Sequence, residues 1–333
     1  MKKFNLLISL CAVLLACAVM QSCGNAETNS IAGDNYHYCN EKGMIVFDEP
    51  ARVEGQQSML GFAAEPIPVV RVGFIGLGMR GPGAVNRFTH LEGVEIKGLC
   101  DLEQSNVDKC QKTLADAGLP AADGYVGPEA YKELCERDDI DLIYIATDWV
   151  NHTPIAVYAM EHGKHVAIEV PAAVSVEECW QLVDTSERTR RHCMMLENCV
   201  YDFFELTCMN MAHQGVFGEI VHAEGAYIHA LDPWWDKYHD CWRLKFNQAH
   251  DGDVYPTHGL GPVCFALNIH RGDRMTHLVS MDTESWCGKA TAKKLLGTED
   301  FANGDHTSTL IRTHKGKTIA VVSIVNSRQY RMI

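Results

Sequence analysis

Two side chains able to move protons stand three positions apart in the segment GDVYPTHGLGP, at Tyr255 and His258. Histidine titrates nearest neutral pH, and a tyrosine can act as acid or base once its pKa is lowered. Around the pair lie Gly252, Gly259, Gly261, Pro256 and Pro262. Turn formers at that density argue against a strand and for a braced loop that fixes both side chains. A structural loop with hydrogen-bonded polar side chains would carry the same residues. A second chemical signature lies upstream. In PVVRVGFIGLGMRGPG an apolar strand runs into Gly76-x-Gly78-x-x-Gly81. Such glycines allow a tight turn, a close approach of backbone to a pyrophosphate, and close helix–strand packing.

The elements that must hold these residues follow from the pattern. Pro82 suits the first turn of a helix whose N-terminus would face phosphates. The next strand, GVEIKGLCD, ends on Asp101. An acid there can accept both ribose hydroxyls and repels a 2'-phosphate, which favours NAD over NADP. DLIYIAT reads as a buried strand, Thr153-Pro154 as the start of a helix, and HVAIEVP as another strand. Ser175-Val176-Glu177-Glu178 forms a capping box, and HCMMLEN closes the series as a strand. Strands alternating with helical segments predict a parallel, doubly wound α/β sheet. Ligands bind at the carboxyl ends of such strands, which places Thr147, Trp149, Glu169 and Asn198 beside the cofactor. Trp149 fits a packing aromatic equally well. Further on, TSTLIRTHKGKTIAVVSIV reads as a hairpin turning at Lys315-Gly316.

Composition excludes several classes. The chain has 333 residues, enough for two domains, with a formal net charge of -14 and no basic block, which argues against nucleic acid. Its 14 cysteines are scattered without a CxxC pair, its 16 histidines lack an HExxH arrangement, and no metal site is expected from the spacing. Lys2 and Lys3 precede an apolar run, so residues 1–22 read as an export signal. A small residue before Cys23 resembles a bacterial lipoprotein cleavage site, with Cys17 as the alternative acceptor. Export to a bacterial envelope and attachment to the membrane only through a lipid on Cys23 are expected. Residues 23–68 read as a tether, 69–198 as an N-terminal Rossmann domain, and 199–333 as an α+β domain with an open, mainly antiparallel sheet.

The series GFIGLGMRG, IATDWVNHTPIAVYAMEHGKHVAIEVP and MLENCVYDFFEL resembles the glucose-fructose oxidoreductase, inositol dehydrogenase and rhizopine-catabolism superfamily. That superfamily normally carries a lysine in its Glu-Lys-Pro triplet, where it assists hydride transfer. Here the triplet is Glu169-Val170-Pro171. A net sugar or polyol dehydrogenase, one alternative, is disfavoured by Val170, which has no proton to give. GDVYPTHGLGPV, ENCVYDFFEL and WRLKFNQ narrow the resemblance to the NAD-dependent glycoside hydrolases of family 109. The family continues beyond the last strand here, so the second domain reads as incomplete. An inactive, truncated binding protein is the other alternative.

This resemblance implies an α-N-acetylgalactosaminidase that works by transient C3 oxidation, elimination, water addition and re-reduction. NAD-dependent glycosidases are an exception to the usual carboxylate pair. It implies His258 as the base on the C3 hydroxyl, Tyr201 as the C2 proton acceptor and Tyr255 as an assistant. Tyr201, Arg243, Tyr255 and His258 would touch the sugar, with core packing as the alternative for Trp234, Trp235 and Trp242. Met79, Arg80 and His152 join Gly76, Gly78, Gly81, Asp101, Thr147, Trp149, Glu169 and Asn198 as cofactor residues. The expected partner is a glycan ending in α-linked N-acetylgalactosamine, and the second sheet is a candidate homo-oligomer contact.

Overall fold

The computed structural model describes residues 51, 52 and 55–324, together with three short strands nearer the N-terminus. These strands, β1 (Asn29–Ser30), β2 (His37–Glu41) and β3 (Met44–Phe47), form a small antiparallel sheet. The tether expected over 23–68 is therefore partly ordered. Its later part also docks. Arg52 pairs with Glu187, Gln56 donates to Asp184 (2.9 Å), and Arg190 lies 4.4 Å above the Phe62 ring. Cys23, Cys17 and the export signal lie outside the described residues. Among the described residues no helix is long and apolar enough to cross a membrane.

The first large unit is a six-stranded, wholly parallel sheet. It comprises β4 (Val70–Ile75), β5 (Val94–Asp101), β6 (Asp123–Val126), β7 (Leu142–Ile145), β8 (His165–Ile168) and β9 (Cys193–Met195), in the order β6-β5-β4-β7-β8-β9. Helices α1 (Gly81–Phe88), α2 (Gln104–Asp116), α3 (Ala130–Cys135), α4 (Trp149–Glu161) and α5 (Val176–Thr189) alternate with them. Side chains alternate across the sheet with a period of two. Ile143 and Ile145 face one core with Ala156 and Met160 of α4, while Tyr144 faces the other with Phe74, Ala84 and Leu114. Both faces are covered, which is why these strands read as unbroken apolar runs.

One helix boundary differs from expectation, and one is as expected. Helix α4 starts at Trp149 with Asp148 as its N-cap residue, so Pro154 lies inside it rather than at its start. Thr153 is buried, and its hydroxyl donates to the carbonyl of Ala172 (3.0 Å) instead of capping. Proline in the second turn removes one hydrogen bond, to the carbonyl of Val150, on an exposed part of the helix. The capping box opens α5 at Ser175 as expected, with only its return bond displaced by one residue. Ser175 Oγ accepts from Glu178 N (3.1 Å), and the Glu178 carboxylate accepts from Val174 N (2.7 Å).

The second unit begins with a 3-10 turn (Asn198–Tyr201) and α6 (Phe203–His213). It then builds a four-stranded sheet from β10 (His222–Ile228), β11 (Met275–Asp282), β12 (His306–Thr313) and β13 (Thr318–Ile324), in the order β10-β13-β12-β11. The β12–β13 hairpin turns at Lys315-Gly316 as expected. The sheet is mixed, because β10 runs parallel to β13 while the other two pairings are antiparallel. Helices α7 (Trp242–Ala249), α8 (Thr257–Ala266) and α9 (Cys287–Leu296) complete it.

The expected loop at GDVYPTHGLGP is in fact the entry to α8, with Gly259, Gly261 and Pro262 inside the helix. Close approach explains the glycines. A Cβ added to Gly225 of β10 would sit 1.9 Å from the carbonyl oxygen of Gly259, and one on Gly259 would sit 2.8 Å from the amide of Ala226. The helix lies on bare backbone of the strand.

Candidate active site

The parallel strand order reverses between β4 and β7, and the crevice outside their carboxyl ends is where such folds bind dinucleotides. Gly76 adopts φ +89°, and a Cβ there would meet the backbone of Ala146 at 2.5 Å. A Cβ on Gly81 would meet Gly76 O at 2.1 Å, while one on Gly78 would meet nothing within 4 Å. The turn is thus closed behind and open in front, which fits a pyrophosphate seated on its backbone amides. Asp101 ends β5 and braces this turn. Its Oδ2 accepts from Leu77 N (2.5 Å), and its Oδ1 accepts from Glu103 N (2.9 Å) and Asn106 Nδ2 (2.9 Å).

Three of the expected cofactor residues meet at Arg80. Its Nε lies 3.6 Å from Glu169, and its Nη2 donates to Asn198 Oδ1 (3.3 Å). Glu169 is buried and also accepts from the Tyr144 hydroxyl (2.7 Å). Met79 is exposed on the same turn. His152 is not available to a ligand. It is 1% exposed, with Nδ1 on the carbonyl of Pro171 (2.7 Å) and Nε2 on that of Thr147 (3.2 Å). Burial lowers its pKa, so the ring is neutral and its single N–H can serve only one of these two carbonyls. Thr147 follows β7, and its amide is among the backbone atoms that crowd Gly76.

Trp149 settles on packing. It is 3% exposed, lies stacked on Tyr255 (centroids 5.0 Å, planes 10°), and meets Trp242 and Phe246 edge-on. Arg243 enters the same cluster. Its guanidinium lies 4.9 Å from the Trp149 ring and 4.7 Å from the Tyr255 ring. Nη1 donates to the Tyr238 hydroxyl (2.7 Å) and Nη2 to the Tyr227 hydroxyl (3.2 Å). Arg243 is 7% exposed, and of its donors only Nε is a buried atom without a hydrogen-bond partner. It supports Tyr255 from behind rather than presenting a free guanidinium to a sugar. Of the tryptophans, Trp235 is fully buried core, whereas Trp234 is exposed.

The proton-handling centre forms where the two units meet. His258 is in the first turn of α8, and Nδ1 hydrogen-bonds the carboxylate of Glu197. Its Nε2 lies 3.1 Å from the Tyr255 hydroxyl. That hydroxyl also lies 3.3 Å from the carbonyl of Val170. Glu197 is 4% exposed and caps the 3-10 turn, accepting from Val200 N (3.0 Å) and Cys199 N (3.4 Å). Gly261 makes room for it, since a Cβ there would stand 3.1 Å from Glu197 Oε2. A buried carboxylate on Nδ1 fixes the ring's orientation and stabilises the imidazolium that forms when Nε2 takes a proton.

Tyr255 departs from the expectation of a lowered pKa. Burial pushes its phenol up, with the Arg243 charge opposing. It is suited to pass a proton while staying neutral, not to act as a phenolate. Tyr201 ends the 3-10 turn and is 53% exposed, so it is the accessible tyrosine of the two. Val170, at the place of the superfamily's lysine, is buried against Trp149 and Tyr255. Glu197 and Cys199 escaped the sequence reading, although both stand in the segment that carries Asn198 and Tyr201. The signal was an acid directly ahead of Asn198. Its partner lies 61 residues away.

Both units of the chain resemble known proteins. Residues 70–197 match the family model for the NAD-binding Rossmann fold of the GFO/IDH/MocA oxidoreductases. Residues 201–332 match the model for the glycosyl hydrolase 109 C-terminal domain. Glycosyl hydrolase family 109 protein 1 of Bacteroides fragilis is 60% identical over 84% of this chain and 61% of its own length. Glycosyl hydrolase family 109 protein 5 of Phocaeicola vulgatus is 53% identical over 95% of this chain and 62% of its own. The chain thus spans about three fifths of the length of these relatives. Among solved structures, scyllo-inositol dehydrogenase of Lactobacillus casei superposes with a TM-score of 0.61 at 14% identity, covering 80% of this chain and 72% of that one. The myo-inositol dehydrogenase of the same organism, solved with NAD(H) and myo-inositol, gives 0.56 at 19% identity over 77% and 68%. At such identity the likeness shows the fold alone. With an NAD-binding Rossmann domain, a matching C-terminal domain and relatives at this level of identity, the chain belongs to glycosyl hydrolase family 109.

Proposed function

We propose that the protein is an NAD-dependent glycosidase that releases terminal α-linked N-acetylgalactosamine from glycans. The observation that carries the reading is the Glu197–His258–Tyr255 relay, set against Val170 where a dehydrogenase of this superfamily would hold its lysine. Bound NAD supplies a reversible hydride acceptor for C3 of the sugar. His258 takes the C3 hydroxyl proton through Nε2, directly or by way of the Tyr255 hydroxyl, while Glu197 holds the resulting charge. Tyr201, exposed at the end of the 3-10 turn that Glu197 caps, is assigned the C2 proton. Arg80 and Glu169 orient the cofactor side of the site. Trp149 and Arg243 hold the Tyr255 ring and so belong to the scaffold of the relay.

The test is turnover of an α-N-acetylgalactosaminide in heavy water by the full-length protein. Solvent deuterium at C2 of the released sugar, without net NADH, is the expected result. Active enzyme that leaves C2 unlabelled would overturn the redox route, and stoichiometric NADH would establish a dehydrogenase instead. His258→Ala should lower turnover about 100- to 10,000-fold with NAD binding retained. For location we propose a lipid anchor at Cys23 in a bacterial envelope. Labelled fatty acid should enter the wild type and not Cys23→Ala; loss with Cys17→Ala instead would move the anchor.

A further inference from the structure

Three potential metal ligands of the site converge: the carboxylate of Glu197, the thiol of Cys199 and the imidazole Nδ1 of His258. Their ligand atoms all lie within 4.8 Å of one another. We propose that they form a binding site for a divalent ion of zinc-like preference, and that the ion and the proton relay exclude each other.

Geometry points to a small tetrahedral ion. Cys199 Sγ lies 3.5 Å from His258 Nδ1. An ion about 2.3 Å from sulfur and about 2.0 Å from nitrogen, at a tetrahedral angle, sets those two atoms about 3.5 Å apart. Glu197 supplies the third ligand through Oε1, while its Oε2 stays on Val200 N. Its present hydrogen bond to Nδ1 must lengthen to admit the ion. Thiolate, imidazole and carboxylate together suit zinc rather than magnesium or calcium.

The outer contacts also fit. A metal-bound histidine donates its other N–H to a fixed acceptor. If Tyr255 donates to the carbonyl of Val170, its oxygen is free to accept from His258 Nε2–H. That tautomer leaves the Nδ1 lone pair facing a carboxylate, an arrangement that a metal ion between them stabilises in place of the proton. The site is closed on the Gly261 side, since a Cβ there would already press on Glu197. A zinc-like ion takes cysteine as the thiolate. Binding therefore expels one proton, from Cys199, and shifts the imidazole proton from Nδ1 to Nε2.

In that state Nε2 carries a proton and cannot accept one from a sugar hydroxyl. Zinc should then inhibit, a consequence that rests on the proposed function. The binding itself does not. The experiment titrates chelator-treated protein with Co2+, whose thiolate complexes absorb in the near ultraviolet. One equivalent should raise a thiolate-to-cobalt band that Zn2+ abolishes and that both Cys199→Ala and Cys199→Ser lack. Zn2+ affinity should fall at least about tenfold in either variant, the lower end of the loss when a supporting group is removed. The affinity of the wild type should rise with pH as one proton is released. Other thiols add absorbance, so the quantity read is the part lost in the variants. A wild type without the band, or a band undiminished in both variants, overturns the site. A full-length protein that binds cobalt in this way yet has no glycosidase activity refutes the proposed function and leaves the metal site standing.

Discussion

The cofactor crevice and the Glu197–His258 pocket are built by the same device and to opposite ends. In each, glycines let backbones touch: Gly76 against Ala146 in the crevice, Gly225 against Gly259 beneath the pocket. The crevice uses that closeness to present backbone amides from one short segment. The pocket uses it to seat a helix, so that His258 meets a carboxylate 61 residues away and a hydroxyl three residues away. Recognition of a phosphate is thus a local property of the chain. Proton transfer is a property of the folded interface, and it inherits every tolerance of that interface.

The sharpest way to break this contrast is at the glycines. Gly225→Ala places a methyl 1.9 Å from a carbonyl oxygen that cannot move without moving α8. Overpacking of this kind costs about 3 kcal/mol or more, read as a lowered denaturant midpoint. NAD affinity should survive in the folded fraction while turnover is lost. Gly76→Ala, at φ +89°, should do the reverse, losing NAD binding while leaving metal binding at Cys199 intact. A Gly225→Ala protein that loses NAD binding while folded would show that the two regions are one.

Smaller perturbations sharpen the same line. Glu197→Gln keeps the shape of the cap but removes the charge beside His258, and should lower kcat about 100-fold with little change in KM. Asp101→Ala should weaken NAD binding by about 2 kcal/mol, the scale of hydrogen bonds to a charged group. Calorimetry that finds unchanged affinity would remove Asp101 from the cofactor site. The mildest effect is in pH. Burial lowers the pKa of both His152 and His165. Below about pH 6.5 the unfolded chain takes up protons that these folded residues refuse, so their contribution is present above that pH and lost as pH falls. Thermal midpoints should decline from about pH 6.5 downward, and His152→Asn should flatten part of that slope. A slope identical in the variant would assign it to other groups.

Much of the cofactor half was legible because its signals are contiguous. The glycine fingerprint, Asp101 and the Ser175 cap each announce themselves within a few residues. Proline and glycine misled wherever tertiary contact had requisitioned them. Pro154 and Pro262 look like helix starts or turns, yet each sits within a helix. Gly259 looks like a turn former, yet it serves the strand beneath it. Glu197 was invisible because the side chain it orients, His258, lies 61 residues away. Arg243 and Trp149 were recognised as notable, but their stacking on Tyr255 depends on how the two units meet. The docked segment at 51–62 gave no periodic signal, because it is held by individual pairs to α5 and by one aromatic, Phe62.

Asp101 carries one further consequence. The carboxylate that would discriminate against a 2'-phosphate is also the acceptor that fixes Leu77 N–H and Glu103 N–H. If Asp101 chooses the cofactor as proposed, that choice and the shape of the turn are written in a single side chain. A change towards the phosphorylated dinucleotide, by engineering or by drift, cannot begin with a simple exchange to a basic or small residue. It must first recruit a new acceptor for two amides, and each intermediate step would bind either dinucleotide poorly.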